Sequence, residues 1–261
     1  MKHLNQFITE YIIKKKLENP IDSEHNYKYF PATRQELFKI TQELIDKGQY
    51  DLNCINTERI TDMSNLFVKA PDIDISQWDV SNVKDMRYVF VDCENFNCDL
   101  SNWDVSNVEN MEGMFNKCGN FKGKGLDKWN VNSVKITEFM FIKCDKFDCD
   151  LSNWNVSNIE NMQNMFQDCK NFKGKGLEKW NLSNVKYMSS IFKNCEKFDC
   201  DVSNWNIRNA IYMDYAFINC LSFTGKGLDK WNPQSLKDSE GIFDNCKSIK
   251  KYPKWYTDWF K

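Results

Sequence analysis

Seven tryptophans (Trp78, Trp103, Trp129, Trp154, Trp180, Trp205 and Trp231) recur at alternating intervals of 25 and 26 residues. A fixed period of this size arises when each repeat is one coil of a solenoid and neighbouring coils bury each other's apolar edges. Cys93, Cys118, Cys144, Cys169, Cys195, Cys220 and Cys246 keep the same beat, as do phenylalanines from Phe67 to Phe243. The alternation has a visible source. FNCDLSNW (96–103) returns as FDCDLSNW and FDCDVSNW, whereas FKGKGLDKW (121–129) returns as FKGKGLEKW and FTGKGLDKW, one residue longer. The higher unit is therefore a pair of coils, 51 residues long. An array of this kind predicts an extended binding surface, not one catalytic pocket.

Within a coil, Phe96, Cys98 and Leu100 alternate with Asn97, Asp99 and Ser101, which predicts a short strand with one buried face. Val108, Met111, Phe115 and Cys118 fall three, four and three apart, which predicts two to three turns of helix. Ser106 with Glu109, and Ser157 with Glu160, fit capping boxes at the helix start. Each coil is thus expected to be strand, corner and helix. The expected fold is α/β, about eight coils of 25–26 residues, with parallel strands on a concave face and short helices on the convex face.

The longer coils insert Gly-Lys-Gly at 123–125, 174–176 and 225–227. Paired glycines predict a bulge with positive φ angles. Anion cradling is the alternative, but the motif lacks the length and the GK[ST] ending of a P-loop. On the expected strand face Asp99, Asp150 and Asp201 alternate with Lys124, Lys175 and Lys226. If the bulge keeps register, this is a ladder of alternating charge. The candidate partner-binding residues are these six with Ser101, Asp127, Ser152, Glu178, Ser203 and Asp229.

The remaining chemistry is sparse. Net charge is −2, with 28% charged and 41% hydrophobic residues, so no global field draws the chain to nucleic acid or an anionic membrane. The two histidines, His3 and His25, precede the repeats, and the repeats offer copies where catalysis needs a differentiated site. No catalytic, metal or cofactor residue is assigned. The cysteines sit among Phe, Leu and Met and are expected as a buried column of free thiols. They point to a reducing compartment, as does an opening, MKHLNQFITEYIIKKK, whose apolar residues are too interrupted for a secretory signal. A cytoplasmic location is expected, with virion association as the alternative. No apolar run approaches the ~20 residues of a membrane span.

Four segments are expected. Residues 1–29 hold an amphipathic helix (Leu4, Phe7, Ile8, Tyr11, Ile12) with a linker. This helix would pack on the cap, dock another chain or touch a membrane surface. Residues 30–59 hold a cap helix over 32–47, ending at Gly48, and a first strand over 51–55. Residues 60–247 form the array, whose first helix is ITDMSNLF (60–67). Residues 248–261 form an aromatic lid of Trp255, Tyr256, Trp259 and Phe260.

The text DLSNWDVSNVENMEGMFNKC (99–118) and its copies, the stretch from Phe30 to Phe67 and the ending YPKWY (252–256) resemble the BspA-like leucine-rich repeat family, the mycoplasma-type lipoprotein repeat. The resemblance covers residues 30–261. It implies a leucine-rich-repeat solenoid without enzymatic activity. Many relatives are surface proteins that bind host or neighbouring-cell proteins, and similar short arrays, with similar N-termini, occur in tailed phages of gut bacteria. The expected function is a non-enzymatic module that binds another protein through the strand face. The alternative is a structural or virion-associated adhesion-type protein docked through its N-terminal helix.

Overall fold

The computed structural model describes residues 26–259. The amphipathic segment of residues 1–17, His3, His25 and Phe260 lie outside the described residues. Among the described residues there is no strand, and the helices are α1 (Arg34–Asp46), α2 (Lys254–Trp259) and three single 3₁₀ turns. The expected α/β leucine-rich-repeat architecture is therefore overturned. Neither strands between Phe and Trp nor helices after the Val pair form.

A short coil shows why. Its apolar residues are spaced by β-turns. Trp103 N–H donates to Leu100 O (3.2 Å), Val108 to Val105 (3.0 Å), Met114 to Met111 (3.2 Å), Cys118 to Phe115 (3.0 Å) and Phe121 to Cys118 (3.0 Å). A β-turn brings residues i and i+3 together and turns the two between them outward. All of these i and i+3 residues are buried. The intervening pairs are mostly turn formers such as Ser101-Asn102 and Ser106-Asn107. A run of such turns reproduces the three-four-three spacing of a helix without the helix. Gly113 (φ 58°) and Lys117 (φ 61°) occupy the third position of their turns. A positive φ there closes a turn and stops a helix from propagating.

The N–H groups that a helix would use internally go to the next coil instead. Met111, Gly113, Phe115 and Lys117 donate to the carbonyls of Ile136, Glu138, Met140 and Ile142 at 2.8–3.0 Å. The same pattern repeats along the array and is anchored by parallel bridges at Asp62, Asp85, Asn110, Ile136, Asn161, Tyr187, Tyr212 and Asp238. Strand-like pairing thus runs through the segment expected as helix. The expected capping boxes dissolve accordingly. Ser106 N–H donates to Asp104 Oδ1 (3.0 Å) and Ser157 N–H to Asn155 Oδ1 (3.2 Å). Glu109 and Glu160 pair with Lys135 (2.9 Å) and Lys186 (2.7 Å) of the following coils.

On the other side, alternate coils differ in length and cannot form a continuous ladder. Each short coil donates one backbone bond to the next coil, such as Leu100 N–H to Lys124 O (3.1 Å), and the last also donates Asp199 N–H back to Lys173 O (3.3 Å). A side chain supplies the second acceptor: Lys122 N–H donates to Asn97 Oδ1 (3.1 Å) and Lys173 N–H to Asp148 Oδ1 (3.0 Å). The Gly-Lys-Gly segments are bulges with positive φ at both glycines, 83° and 93° at Gly123 and Gly125.

Columns of side chains, one residue per coil, fill the centre. Phe67, Phe90, Phe115, Phe141, Phe166, Phe192, Phe217 and Phe243 follow one another at centroid distances of 5.3–5.8 Å. The tryptophans lie face to face where they meet, as in Trp103–Trp129 (6.3 Å, 1°) and Trp129–Trp154 (6.4 Å, 4°). Each indole N–H reaches a backbone carbonyl of the preceding coil, for example Trp129 Nε1 to Leu100 O (3.1 Å). The cysteines are free. Those of the repeat column do more than fill space: Cys118, Cys144, Cys169, Cys195, Cys220 and Cys246 Sγ–H donate to the preceding coil's Phe carbonyl at 2.9–3.0 Å.

Burial pushes the Cys93 thiol up to about 11 and Cys246 up to about 12. At pH 8 a disulfide reagent should therefore leave the column unmodified in the native protein and label it only on unfolding. The half-buried Cys54, Cys98 and Cys149 should react first, though slowly, because burial also raises their thiols. Peptide mapping by mass spectrometry checks this. Rapid native labelling of Cys118 or Cys169 would contradict the buried column.

Both ends are closed. The expected helix over 32–47 is present as α1, capped by Thr33 Oγ1, which accepts from Glu36 N–H (3.2 Å). It ends where Gly48 (φ 76°) donates to Ile45 O (2.8 Å). Leu37 and Leu44 enter the core, and the Arg34 guanidinium donates to Ser64 O in place of a preceding coil. Residues 51–55 and 60–67, expected as first strand and first helix, are isolated bridges and turns. At the far end Trp255 extends the tryptophan column, stacking on Trp231 (6.0 Å, 25°) with Nε1 donating to Leu228 O (2.9 Å). Tyr256 covers Phe243 edge-on (5.1 Å).

Candidate functional site

The Phe-to-Trp segments carry all twelve sequence-derived candidates, on a face that has no strands. The bulge keeps register, so each aspartate meets the lysine of the next coil: Lys124–Asp99 at 2.8 Å, Lys175–Asp150 at 2.9 Å and Lys226–Asp201 at 2.7 Å. These lysines are committed to carboxylates, which favours the bulge over an anion cradle. The backbone N–H groups of Ser101, Ser152 and Ser203 donate to Asp99, Asp150 and Asp201 Oδ1, each at 3.0 Å. The serines thus orient the carboxylates.

Asp127, Glu178 and Asp229 sit on the 3₁₀ turns Leu126–Lys128, Leu177–Lys179 and Leu228–Lys230. Glu178 Oε2 accepts from Gly176 N–H (3.0 Å), while Asp127 and Asp229 are exposed. The structure brings Lys124, Asp127, Asp150, Ser152 and Lys175 together around an open groove of about 700 Å³, with Lys122 at its edge. Asp99, Ser101, Glu178, Asp201, Ser203, Lys226 and Asp229 do not line that groove and occupy equivalent places on other coils.

The lysine side-chain bond beside each carboxylate, followed by the serine donors, holds Asp99 and Asp201 down at about 2. Asp150 is held at about 2 by Lys175 and then Ser152. A folded-state value depressed below the ordinary 3.8 gives stability that is present above about pH 4 and lost as pH falls toward 2. Replacing Asp99, Asp150 and Asp201 by Asn should flatten this acid limb while changing stability at pH 7 only slightly, since solvent screens ion pairs whose lysines are fully exposed. Acid titration followed by circular dichroism checks it. An unchanged acid limb would assign the acid sensitivity to other carboxylates.

Sequence reasoning missed a second set of inter-coil ties. Asn107, Asn158, Asn184 and Asn209 donate through Nδ2 to the preceding coil's backbone carbonyls at 2.6–2.7 Å. Their signal was available: an asparagine recurs in phase at Asn82, Asn107, Asn158, Asn184 and Asn209, with Ser133 making the same kind of bond on the coil between Asn107 and Asn158. It also missed Tyr88 and Tyr215, whose hydroxyls donate to Glu112 and Glu240 (2.5 Å each). Both tyrosines have positive φ, which no local pattern announces.

No helix among the described residues is long and apolar enough to cross a membrane. No curated protein and no solved structure matches the chain. One family matches twice, over residues 35–153 and 137–256. The two matches start 102 residues apart, which is two of the 51-residue steps read from the tryptophans. With residues 35 to 256 covered, the chain belongs to the family described as Mycoplasma protein of unknown function, DUF285.

Proposed function

We propose that this chain is a non-enzymatic protein-interaction module whose partner docks on the face carrying the Asp–Lys pairs. The finer kinship with BspA-like repeats belongs to the same reading and rests on the DLSNWDVSNV text. The observation that supports it most is one Asp–Ser–Lys arrangement, half-buried at the aspartate and serine and exposed at the lysine, that occurs three times at 51-residue intervals on hydrogen-bonded coils. Such a surface offers a partner several equivalent contacts at fixed spacing, where multivalency raises avidity.

The test starts from a partner captured by the wild-type chain and then purified. Reversing Asp99, Asp150 and Asp201 to Lys should weaken its binding at least about tenfold, since like charges are set against each other at every step. Equal affinity would remove this face from the reading. The module is further proposed to act inside a cell. Alkylation during isolation from its native cell should then find every cysteine reduced, and disulfides would overturn that location.

A further inference from the structure

A second surface lies after the tryptophan, in the bridged segment, and does not rest on the reading above. Where the array departs from its own repeat, packing does not explain the residue. Ser106, Glu109 and Asn110 recur one double step later as Ser157, Glu160 and Asn161. One further step places Arg208, Ile211 and Tyr212 there. An acid is lost, a cation gained, and two apolar groups appear together.

The consequences are visible locally. Lys135 and Lys186 each pair with the glutamate of the coil before, at 2.9 and 2.7 Å. Lys237, their counterpart, faces Ile211 in that place, and among the described residues no carboxylate lies within ion-pair distance of it. Tyr212 stacks on Tyr187 of the preceding coil (5.8 Å, 11°) and still leaves 38% of its surface in water. The backbone beneath is fixed by the bridges Tyr187↔Tyr212 and Tyr212↔Asp238. The result is an aromatic platform with an uncompensated lysine beside it and an exposed arginine four residues before Tyr212.

From this we infer a docking surface for an acidic peptide segment that carries an aromatic or aliphatic anchor. The anchor packs on Tyr187, Ile211 and Tyr212, and its carboxylates meet Lys237 and Arg208. Tyrosine and arginine on a pre-ordered backbone are the residue types that dominate such contacts. A nucleic acid fits less well. The two rings already stack on each other and leave no slot for a base between them.

The natural control returns this coil to the repeat consensus: Arg208→Ser, Ile211→Glu and Tyr212→Asn together, residues that two other coils already accommodate. Random twelve-residue peptides displayed against the full chain are the probe. Enriched peptides should combine acidic residues with an aromatic or aliphatic one. They should bind the triple variant at least about tenfold more weakly and lose affinity with Lys237→Gln, while the variant melts like wild type. Peptides lacking acids, or binding both proteins equally, would overturn the inference. So would a fifteen-nucleotide oligo-dT that binds wild type and not the variant, or sedimentation showing that only wild type dimerises. The first of these would assign the patch to nucleic acid and the second to a second copy.

Discussion

Gly125→Ala should cost about 3 kcal/mol or more, the sum of a left-handed penalty of ~1–2 kcal/mol and severe overpacking. Its φ is 93°, and an added Cβ would stand 2.3 Å from Ser101 N and 2.6 Å from Leu100 C. Both are backbone atoms of the neighbouring coil, so the whole turn must move. Gly176 and Gly227 meet Ser152 N and Ser203 N at 2.2 and 2.3 Å and should behave alike. Gly113→Ala is a milder case. Its Cβ would meet the Tyr88 ring at 2.1 Å, a side chain that can swing away by giving up Glu112, and other coils place ordinary residues at this φ. Gly48→Ala, with nothing within 4 Å, carries only the conformational cost of ~1 kcal/mol. Urea denaturation of the three variants should order them Gly125, Gly113, Gly48. If Gly125→Ala melted like Gly48→Ala, the close approach of the coils at the Gly-Lys-Gly bulge would be wrong.

That approach was half legible in the sequence. The glycine pair predicted positive φ, and the extra residue predicted the double step, because both are local properties of the text. What the bulge does to hydrogen bonding was not legible. Two coils of unequal length leave the Leu100 N–H bonded to the backbone of the next coil and force Asn97 and Asp148 to act as substitute acceptors, which depends on coils far apart in sequence. The helix expected over Val108–Cys118 failed for a related reason. Apolar residues three and four apart fit a helix, and they equally fit β-turns in series. Lys117, Phe139 and Tyr88 adopt positive φ without being glycine or asparagine, so composition could not separate the two. The Asp–Lys register was legible up to the bulge. The Tyr187–Tyr212 patch was present in the sequence as a departure from the repeat, but its meaning required knowing that Lys237 falls opposite Ile211.

Trp129→Ala tests whether the columns, and not the backbone bonds alone, make the stack cooperative. Trp129 is 2% exposed, lies between Trp103 and Trp154 and touches Phe115. Truncation removes a large buried ring and should cost about 3–5 kcal/mol. Trp129→Phe keeps most of the volume. It removes only the indole bond to Leu100 O, which still accepts from Trp103 N–H, and should cost about 1 kcal/mol. The larger change should also alter the shape of unfolding. In a linear array each coil is stabilised by its neighbours, so a weak interface in the middle lets the two sides melt separately. Urea melts of Trp129→Ala should then broaden or split, and hydrogen exchange should show coils on either side of residue 129 opening with different free energies. Wild type and Trp129→Phe should unfold in one step. A single transition for Trp129→Ala within about 1 kcal/mol of wild type would mean that the inter-coil N–H to carbonyl ladder carries the coupling, and that the tryptophan beat records the ancestry of the repeats more than their mechanics.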